Sequence, residues 1–331
     1  MVFKVVKESM GRHINRIDTP DFFIKSGDYT KMSDMGLLQK SVYISELTHY
    51  QANDATEFQH PAASFVLNTN EMPWKVTSDS GNSKFGLDAI VLNGNVVINQ
   101  SRGINNKETT INTASATIYF NKKYVETDQL ISVKQEGLLV EALGANANFN
   151  SGIINLLGNV KQVYIPEIAK ISESKTKANP EVYLNASDNN KQEIYLNSDK
   201  ATYNRKKHIS IYLGNVKYKQ GSSFLEANKL VIYDNEADNT VERIIAFGVP
   251  AHYSTIPNGK GSRIHARAMK IEYYPKKKIA LLIGDAELTQ KDNKFSGSHI
   301  TYDLENQTVL SRSNNGDKNY KNQKTTIIIK P

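Results

Sequence analysis

Tyr203 and Tyr273 lie 70 residues apart, and so do Gly214 and Gly284. The tyrosines close one kind of strand and the glycines punctuate the next. Around Gly214 the chain reads "IYLGNVKYKQG". The same phrase recurs as "VLNGNVVINQ" at 91–100, "NLLGNVKQVY" at 155–164 and "LLIGDAELTQ" at 281–290. Apolar residues alternate on either side: Val96/Ile98, Ile118/Phe120, Val216/Tyr218, Leu230/Ile232, Ile271/Tyr273 and Ile300/Tyr302. A period of two predicts short strands that bury one face. Polar turns such as "YNRKKH", "YDNEADN" and "YPKKK" close them. A hairpin unit of roughly 35 residues that stacks on its neighbours implies a quasi-one-dimensional β structure. A glycine inside such a strand marks a bend or a close backbone approach.

The 331 residues suit two domains. "PEIAKISESKTKANPEVYLNASDNNKQ" breaks the alternation with prolines and polar residues. It reads as a linker over 166–191, between β domains at 20–165 and 192–331, with an N-terminal extension at 1–19. A second polar loop is expected at 313–324. There is no cysteine, which excludes disulfides, thiolate nucleophiles and Cys-ligated metals. The 17 tyrosines among many Thr, Val and Ile favour strands over helices.

The net charge of +7 is uneven: residues 1–165 carry 15 basic and 16 acidic side chains, and 166–331 carry 26 and 18. A basic second half suits either an anionic partner or a solvated lysine surface. No stretch is long and apolar enough to span a membrane, and the start lacks a signal-peptide pattern.

Local motifs for chemistry are missing. The seven histidines include no zinc-binding spacing. His252 and His265 flank a hairpin and read as surface residues. Gly259-Lys260-Gly261-Ser262 fits no phosphate-loop spacing. Asp234, Glu236 and Asp238 cluster in a turn. On "VKYKQ", Lys217 and Lys219 face away from Val216 and Tyr218, so basic and aromatic groups diverge, unlike a nucleic-acid stacking platform. No catalytic residue, metal or cofactor is expected. The alternation describes a wall, apolar inside and cationic outside. Whether its interior is a packed core or a lined groove stays open at this level.

The ordered series of phrases is similar to two families of lipopolysaccharide transport. Residues 194–331 resemble LptA, with its OstA-like fold, through "IYLNSDKATY", "YLGNVKYKQGSSFLEANKLVIY", "AFGVPAHY" and the terminal "TTIIIKP". Residues 20–166 resemble LptC through "PDFFIKSGDYTKMSDMG", "ELTHYQANDATEFQHP", "PWKVTSDSG" and "GNVKQVYIP". The resemblance implies an all-β chain of two stacked antiparallel β-jellyroll domains, forming an elongated grooved structure. It implies a non-enzymatic periplasmic bridge that takes lipopolysaccharide acyl chains into an apolar groove. An inner-membrane lipopolysaccharide ABC transporter would meet the N-terminal domain. Further LptA-like domains, or outer-membrane LptD, would meet the C-terminal edge. No nucleic acid is implied. By motif position, Phe58, Ile154, Tyr164, Ile194, Leu196, Tyr253 and Tyr273 would line the groove. The alternation adds Val96, Ile98, Val216, Tyr218 and Leu288. The last strand of the first domain, around 153–164, is expected to pair with the first strand of the second, 193–198. The competing reading is a β-solenoid that binds or degrades acidic polysaccharide.

Overall fold

The computed structural model describes residues 19–36, 38–67, 70–83, 89–165, 192–236, 240–257, 261–312 and 326–328. The expected linker at 166–191, the polar loop at 313–324 and all but the last residue of the N-terminal extension lie outside these, as do Asp238, Gly259 and Lys260. The described residues form antiparallel strands in a jellyroll-like arrangement, with a 3-10 turn at Pro275–Lys277 and no α-helix. The all-β class expected from the alternation is the one the chain adopts. It divides into two compact units, residues 1–136 with 143–152, and residues 137–142 with 153–331.

The first unit contains β1 (Phe22–Met32), β2 (Leu38–Tyr50), β3 (Ala55–Gln59), β4 (Ala62–Phe65), β5 (Trp74–Thr77), β6 (Ser80–Ser83), β7 (Ala89–Gln100), β8 (Thr109–Tyr119) and β9 (Tyr124–Gln135). The strand β10 (Leu138–Asn148) is shared in sequence by the two units. The second unit continues with β11 (Ile153–Leu156), β12 (Val160–Tyr164), β13 (Ile194–Ser198), β14 (Lys200–Asn204), β15 (Ile209–Gln220), β16 (Ser223–Asp234) and β17 (Val241–Thr255). It ends with β18 (Ile264–Tyr274), β19 (Ile279–Gln290), β20 (Asn293–Asp303), β21 (Thr308–Arg312) and β22 (Thr326–Ile328).

In the second unit the long strands bend midway. The ladder skips between Leu213 and Val216 in β15, Phe247 and Ala251 in β17, Arg267 and Lys270 in β18, and Ile283 and Ala286 in β19. Each bend splits a strand into two arms, and the arms pair into two half-sheets. Short strands serve one half-sheet each: β14 pairs with the first arm of β15, β13 with the second. The expected strand addition is present. Within this unit β12 runs antiparallel to β13, with Val160 opposite Ser198 and Tyr164 opposite Ile194, and β11 pairs with β14.

The repeated phrase is the bend itself. Gly214 and Asn215 are both left-handed, at φ 75 and 46, as are Gly94 and Asn95 (73 and 45) and Gly284 and Asp285 (78 and 46). Two such residues in succession turn the strand, and glycine takes the first at no steric cost. An aspartate pins the bend from the neighbouring strand break. The Asp199 N–H donates to the Gly214 carbonyl at 2.9 Å, and Asn215 Nδ2 donates to Asp199 Oδ2 at 3.0 Å. The first unit repeats this device: the Asp79 N–H reaches the Gly94 carbonyl at 2.9 Å, and Asn95 Nδ2 reaches Asp79 Oδ2 at 2.8 Å. The fourth copy of the phrase lies between β11 and β12, where Asn159 is left-handed at φ 48. In β17 the bend is built differently, through Gly248 and a cis Val249–Pro250 peptide.

Candidate functional site

Cross-strand partners share a face, so the register shows which side chains form a continuous row. In the second arms of the second unit, Leu196 lies opposite Tyr218, Tyr218 opposite Leu225, and Leu225 opposite Tyr253. The row continues through Ala266 and Leu288 to Phe295. In the first arms a second row starts with Ile154 opposite Tyr203. It passes through Ser210, Ile232 and Ile244 to Tyr273, Ala280, Tyr302 and Val309. The two rows face one another, because Tyr253, Ala266 and Leu288 of the first and Ala280 and Tyr302 of the second line the same cleft. That cleft is apolar and about 20 Å³, room for about one water molecule.

Every candidate residue of the second unit falls on one of these rows or a rung beside it. Leu196, Val216 and Leu288 are at most 3% exposed. Ile154, Ile194, Tyr218, Tyr253 and Tyr273 are half-buried. Tyr164 lies at the margin, opposite Ile194, and is 40% exposed. Residues Lys217 and Lys219, on the other face, are exposed as the alternation requires. In the first unit Phe58 is buried between Leu47 and Gly81 on its own row. Val96 is fully buried in a cluster with Val76, Leu92 and Ala116, and Ile98 packs against that cluster.

Tyrosine rings give these interiors hydroxyls as well as carbon. Tyr212 Oη donates to Gln162 Oε1 at 3.0 Å, and Tyr218 Oη donates to Gln220 Oε1 at 2.6 Å. Ser223 and Thr255 share a hydrogen bond of 2.8 Å, and Tyr253 Oη donates to Ser223 Oγ at 3.4 Å. Burial pushes the Tyr212 hydroxyl up to about 12, helped by the charge of Asp234, and pushes Tyr273 up to about 12. Burial raises Tyr218 as well. These groups are neutral in the fold, and an unfolded tyrosine ionises near 10. Their stabilising effect is therefore complete below about pH 10 and is lost as pH rises toward 12. The urea midpoint should stay level from pH 7 to 9.5 and fall steeply above 10, in step with tyrosinate absorbance. A flat midpoint through pH 11 would contradict buried tyrosines.

The outer face of the second unit differs in chemistry. A shallow depression of about 200 Å³ is lined by Phe224, Glu226, His252, His265, Arg267 and Glu287, among others. Both histidines line it and are exposed. Arg267 and Lys294 hold Glu287 at 2.8 and 2.9 Å. Burial alone would raise that carboxyl, but the two cations outweigh it and hold it below the usual range. Among the described residues no cluster of His, Asp and Glu could hold a metal ion.

A jellyroll-like β chain whose bent strands face two apolar rows inward defines the class: a β protein with a ladder-built interior. The comparisons give the family. Residues 6–165 match the model of lipopolysaccharide-assembly, LptC-related proteins. Residues 195–308 match that of the LptA/(LptD N-terminal domain) lipopolysaccharide transport proteins. The chain is 33% identical over 144 residues to the lipopolysaccharide export system protein LptA of Haemophilus influenzae, covering 43% of this chain and 80% of that protein. It is 32% identical over 139 residues to Escherichia coli K12 LptA, covering 42% and 71%. Against LptH of Pseudomonas aeruginosa the identity is 29% over 118 residues, covering 36% and 67%. A crystal structure of LptH, described as the LptA homologous periplasmic component of the lipopolysaccharide transport device, aligns with a TM-score of 0.39 at 26% identity, covering 42% of this chain and 96% of that one. The chain belongs to the lipopolysaccharide transport family, with an LptC-related segment followed by an LptA-like one.

Sequence reasoning did not single out Asp79 and Asp199, which pin the bends. Their signal was present as a paired phrase, "TSDSGNS" at 77–83 and "LNSDKAT" at 196–202. In both, a serine one residue before the aspartate donates to the carbonyl two residues on: Ser78 to Ser80 at 2.8 Å and Ser198 to Lys200 at 2.9 Å.

Proposed function

We propose that the chain is a non-enzymatic periplasmic bridge that holds lipopolysaccharide by its acyl chains between the half-sheets of its units. The single observation behind this reading is the unbroken inward row from Leu196 to Phe295, six antiparallel steps without a charged residue. Such a row offers hydrocarbon along its length, while Lys217 and Lys219 on the opposite face stay in water. Because each long strand spans both half-sheets, the bends form a closed spine and the turns at the strand ends form two lips. The interior is closely packed, so an acyl chain enters by parting those lips. Sugars and phosphates then remain outside, near the basic surface of the second half. In this reading the domain at 20–165 receives lipopolysaccharide from the inner-membrane ABC transporter. The domain at 192–331 passes it on, with its C-terminal edge toward LptA-like domains or LptD. Among the described residues no helix is long and apolar enough to cross a membrane.

A photo-crosslinking amino acid at Leu196, Tyr253 or Tyr273 should capture lipopolysaccharide in cells during active transport. The same group at Lys217 should not. Equal capture at inward and outward positions would overturn the interior as the binding place.

A further inference from the structure

The two half-sheets of the second unit differ on their outer faces. The second arms alternate, as in "NVKYKQ" at 215–220. The first arms of β16, β17 and β19 instead read "LVIY" at 230–233, "IIAF" at 244–247 and "IALLI" at 279–283. Continuous runs of this kind belong to strands that are apolar on both faces. The register sets Ile211, Val231 and Ile245 side by side on the outer face, followed by Glu272 and Leu281. Leu213, Lys229, Phe247, Lys270 and Ile283 form the row beside them. Tyr233, Arg243 and Tyr274 flank the other side. Val231 and Ile245 are buried between these taller side chains, but Leu213 and Phe247 are 42% and 36% exposed. Cations stand over the rings: Arg243 lies 4.3 Å from the Tyr233 centroid, and Lys229 and Lys277 lie 5.7 Å from those of Phe247 and Tyr274. The turns at the ends of these arms add Arg205, Lys206, Lys207, Lys276, Lys277 and Lys278, all exposed. The acidic side chains described there are Asp234, Glu236, Glu242, Glu272, Asp303 and Glu305. Two of them are already paired, Glu272 with Lys270 at 2.6 Å and Glu305 with Lys278 at 3.0 Å.

We infer that the outer face of the first arms docks the second unit on the surface of an anionic phospholipid bilayer. Leu213 and Phe247 would meet hydrocarbon, the tyrosines would sit at headgroup level, and the lysines would reach the phosphates. A second copy of the chain fits this face poorly, because it would set basic rim against basic rim. The surface shares no residue with the inward rows, so it is separate from the acyl-chain reading above.

The test uses the full chain and two kinds of vesicle: phosphatidylglycerol with phosphatidylcholine in equal parts, and phosphatidylcholine alone. Binding is read by flotation, and circular dichroism checks each variant's fold. The wild-type chain should float with the first vesicle and not with the second. Each cation near an anionic leaflet strengthens binding about fivefold, so Lys276→Glu with Lys277→Glu should weaken it by roughly tenfold or more. Lys217→Glu with Lys219→Glu makes the same change of charge on the outer face of the second arms, and should leave binding nearly unchanged because salt screens distant charges. Leu213→Thr with Phe247→Thr keeps strand-forming residues and should lower binding several-fold at raised salt, where apolar contact is what remains. Equal flotation with both vesicles, equal losses in the two lysine pairs, or wild-type binding by the threonine pair would overturn the inference. Failure to float with either vesicle would overturn it too, and would turn attention to an acidic protein as the occupant of this face. None of these results touches the acyl-chain reading. Leu196→Asp alters only the interior and should float as wild type does. Loss of flotation in a folded Leu196→Asp chain would mean that bilayers are met through the interior, and would overturn the outer face as the docking surface.

Discussion

Leu196→Asp should abolish the co-purification of lipopolysaccharide with this chain. Leu196 is 3% exposed and occupies the inward row between Gln162 of β12 and Tyr218 of β15. A carboxylate there either desolvates, at a cost of several kcal/mol, or stays wet and draws water onto the row. Neither outcome leaves a hydrocarbon surface. The same substitution also weakens folding, so two companions separate the effects. Leu196→Met keeps volume and apolarity, costs less than about 1.5 kcal/mol, and should retain the lipid. Lys219→Asp places the same carboxylate on the exposed face of β15 and should retain it too. Native mass spectrometry reads the bound lipid, and far-UV circular dichroism reads the fold. A folded Leu196→Asp chain that carried as much lipopolysaccharide as wild type would remove the interior from consideration.

The second large effect is expected at the spine. Gly214→Ala forces a side chain into φ 75, which costs about 1–2 kcal/mol by itself. A Cβ at this position would also lie 2.1 Å from Asp199 Oδ2 and 3.0 Å from Asp199 Cβ, so the aspartate must move. Its movement breaks the contacts of its carboxylate with Asn215 at 3.0 and 3.2 Å. The total should reach about 3 kcal/mol of lost stability, read as a lower urea midpoint at unchanged slope. Asp199→Ala removes the clash and the pin together. In that background Gly214→Ala should cost only the backbone term, and the double-mutant cycle should show coupling of about 1 kcal/mol or more. Additive costs would mean that Asp199 and Gly214 do not act as one device.

The strands were legible in the sequence because one face of each is wet. Lys217 and Lys219 alternate with Val216 and Tyr218, and the structure buries Val216 while exposing both lysines. The bends were legible as repeated glycines, but their cause was not. A left-handed pair and a pinning aspartate 15 residues upstream are properties of two strands brought together, and no local period records them. The same reason hid Tyr302. Its alternation with Ile300 marks it as inward, like many neighbours, and only the full set of hydrogen bonds shows that, among the described residues, its buried hydroxyl has no partner. Ile194 and Leu196 were placed by family motif and lie on adjacent inward rungs, opposite Gln220 and Tyr218. The bend at Gly248 follows a different rule, since it uses a cis proline in place of a left-handed pair.

If the inward row carries acyl chains as proposed, it has a kinetic meaning apart from affinity. Neighbouring strands lie about 4.8 Å apart, so a ligand moving across them exchanges one rung for the next at each step of that length. Leucine or tyrosine occupies five of the first six positions from Leu196 to Leu288, with Ala266 the exception. Apart from the two steps at Ala266, each step trades one large apolar or aromatic side chain for another. A pocket built to retain would concentrate its contacts at one place. This ladder spreads them, and under the proposed function such a profile would let cargo be held firmly while remaining free to advance from strand to strand.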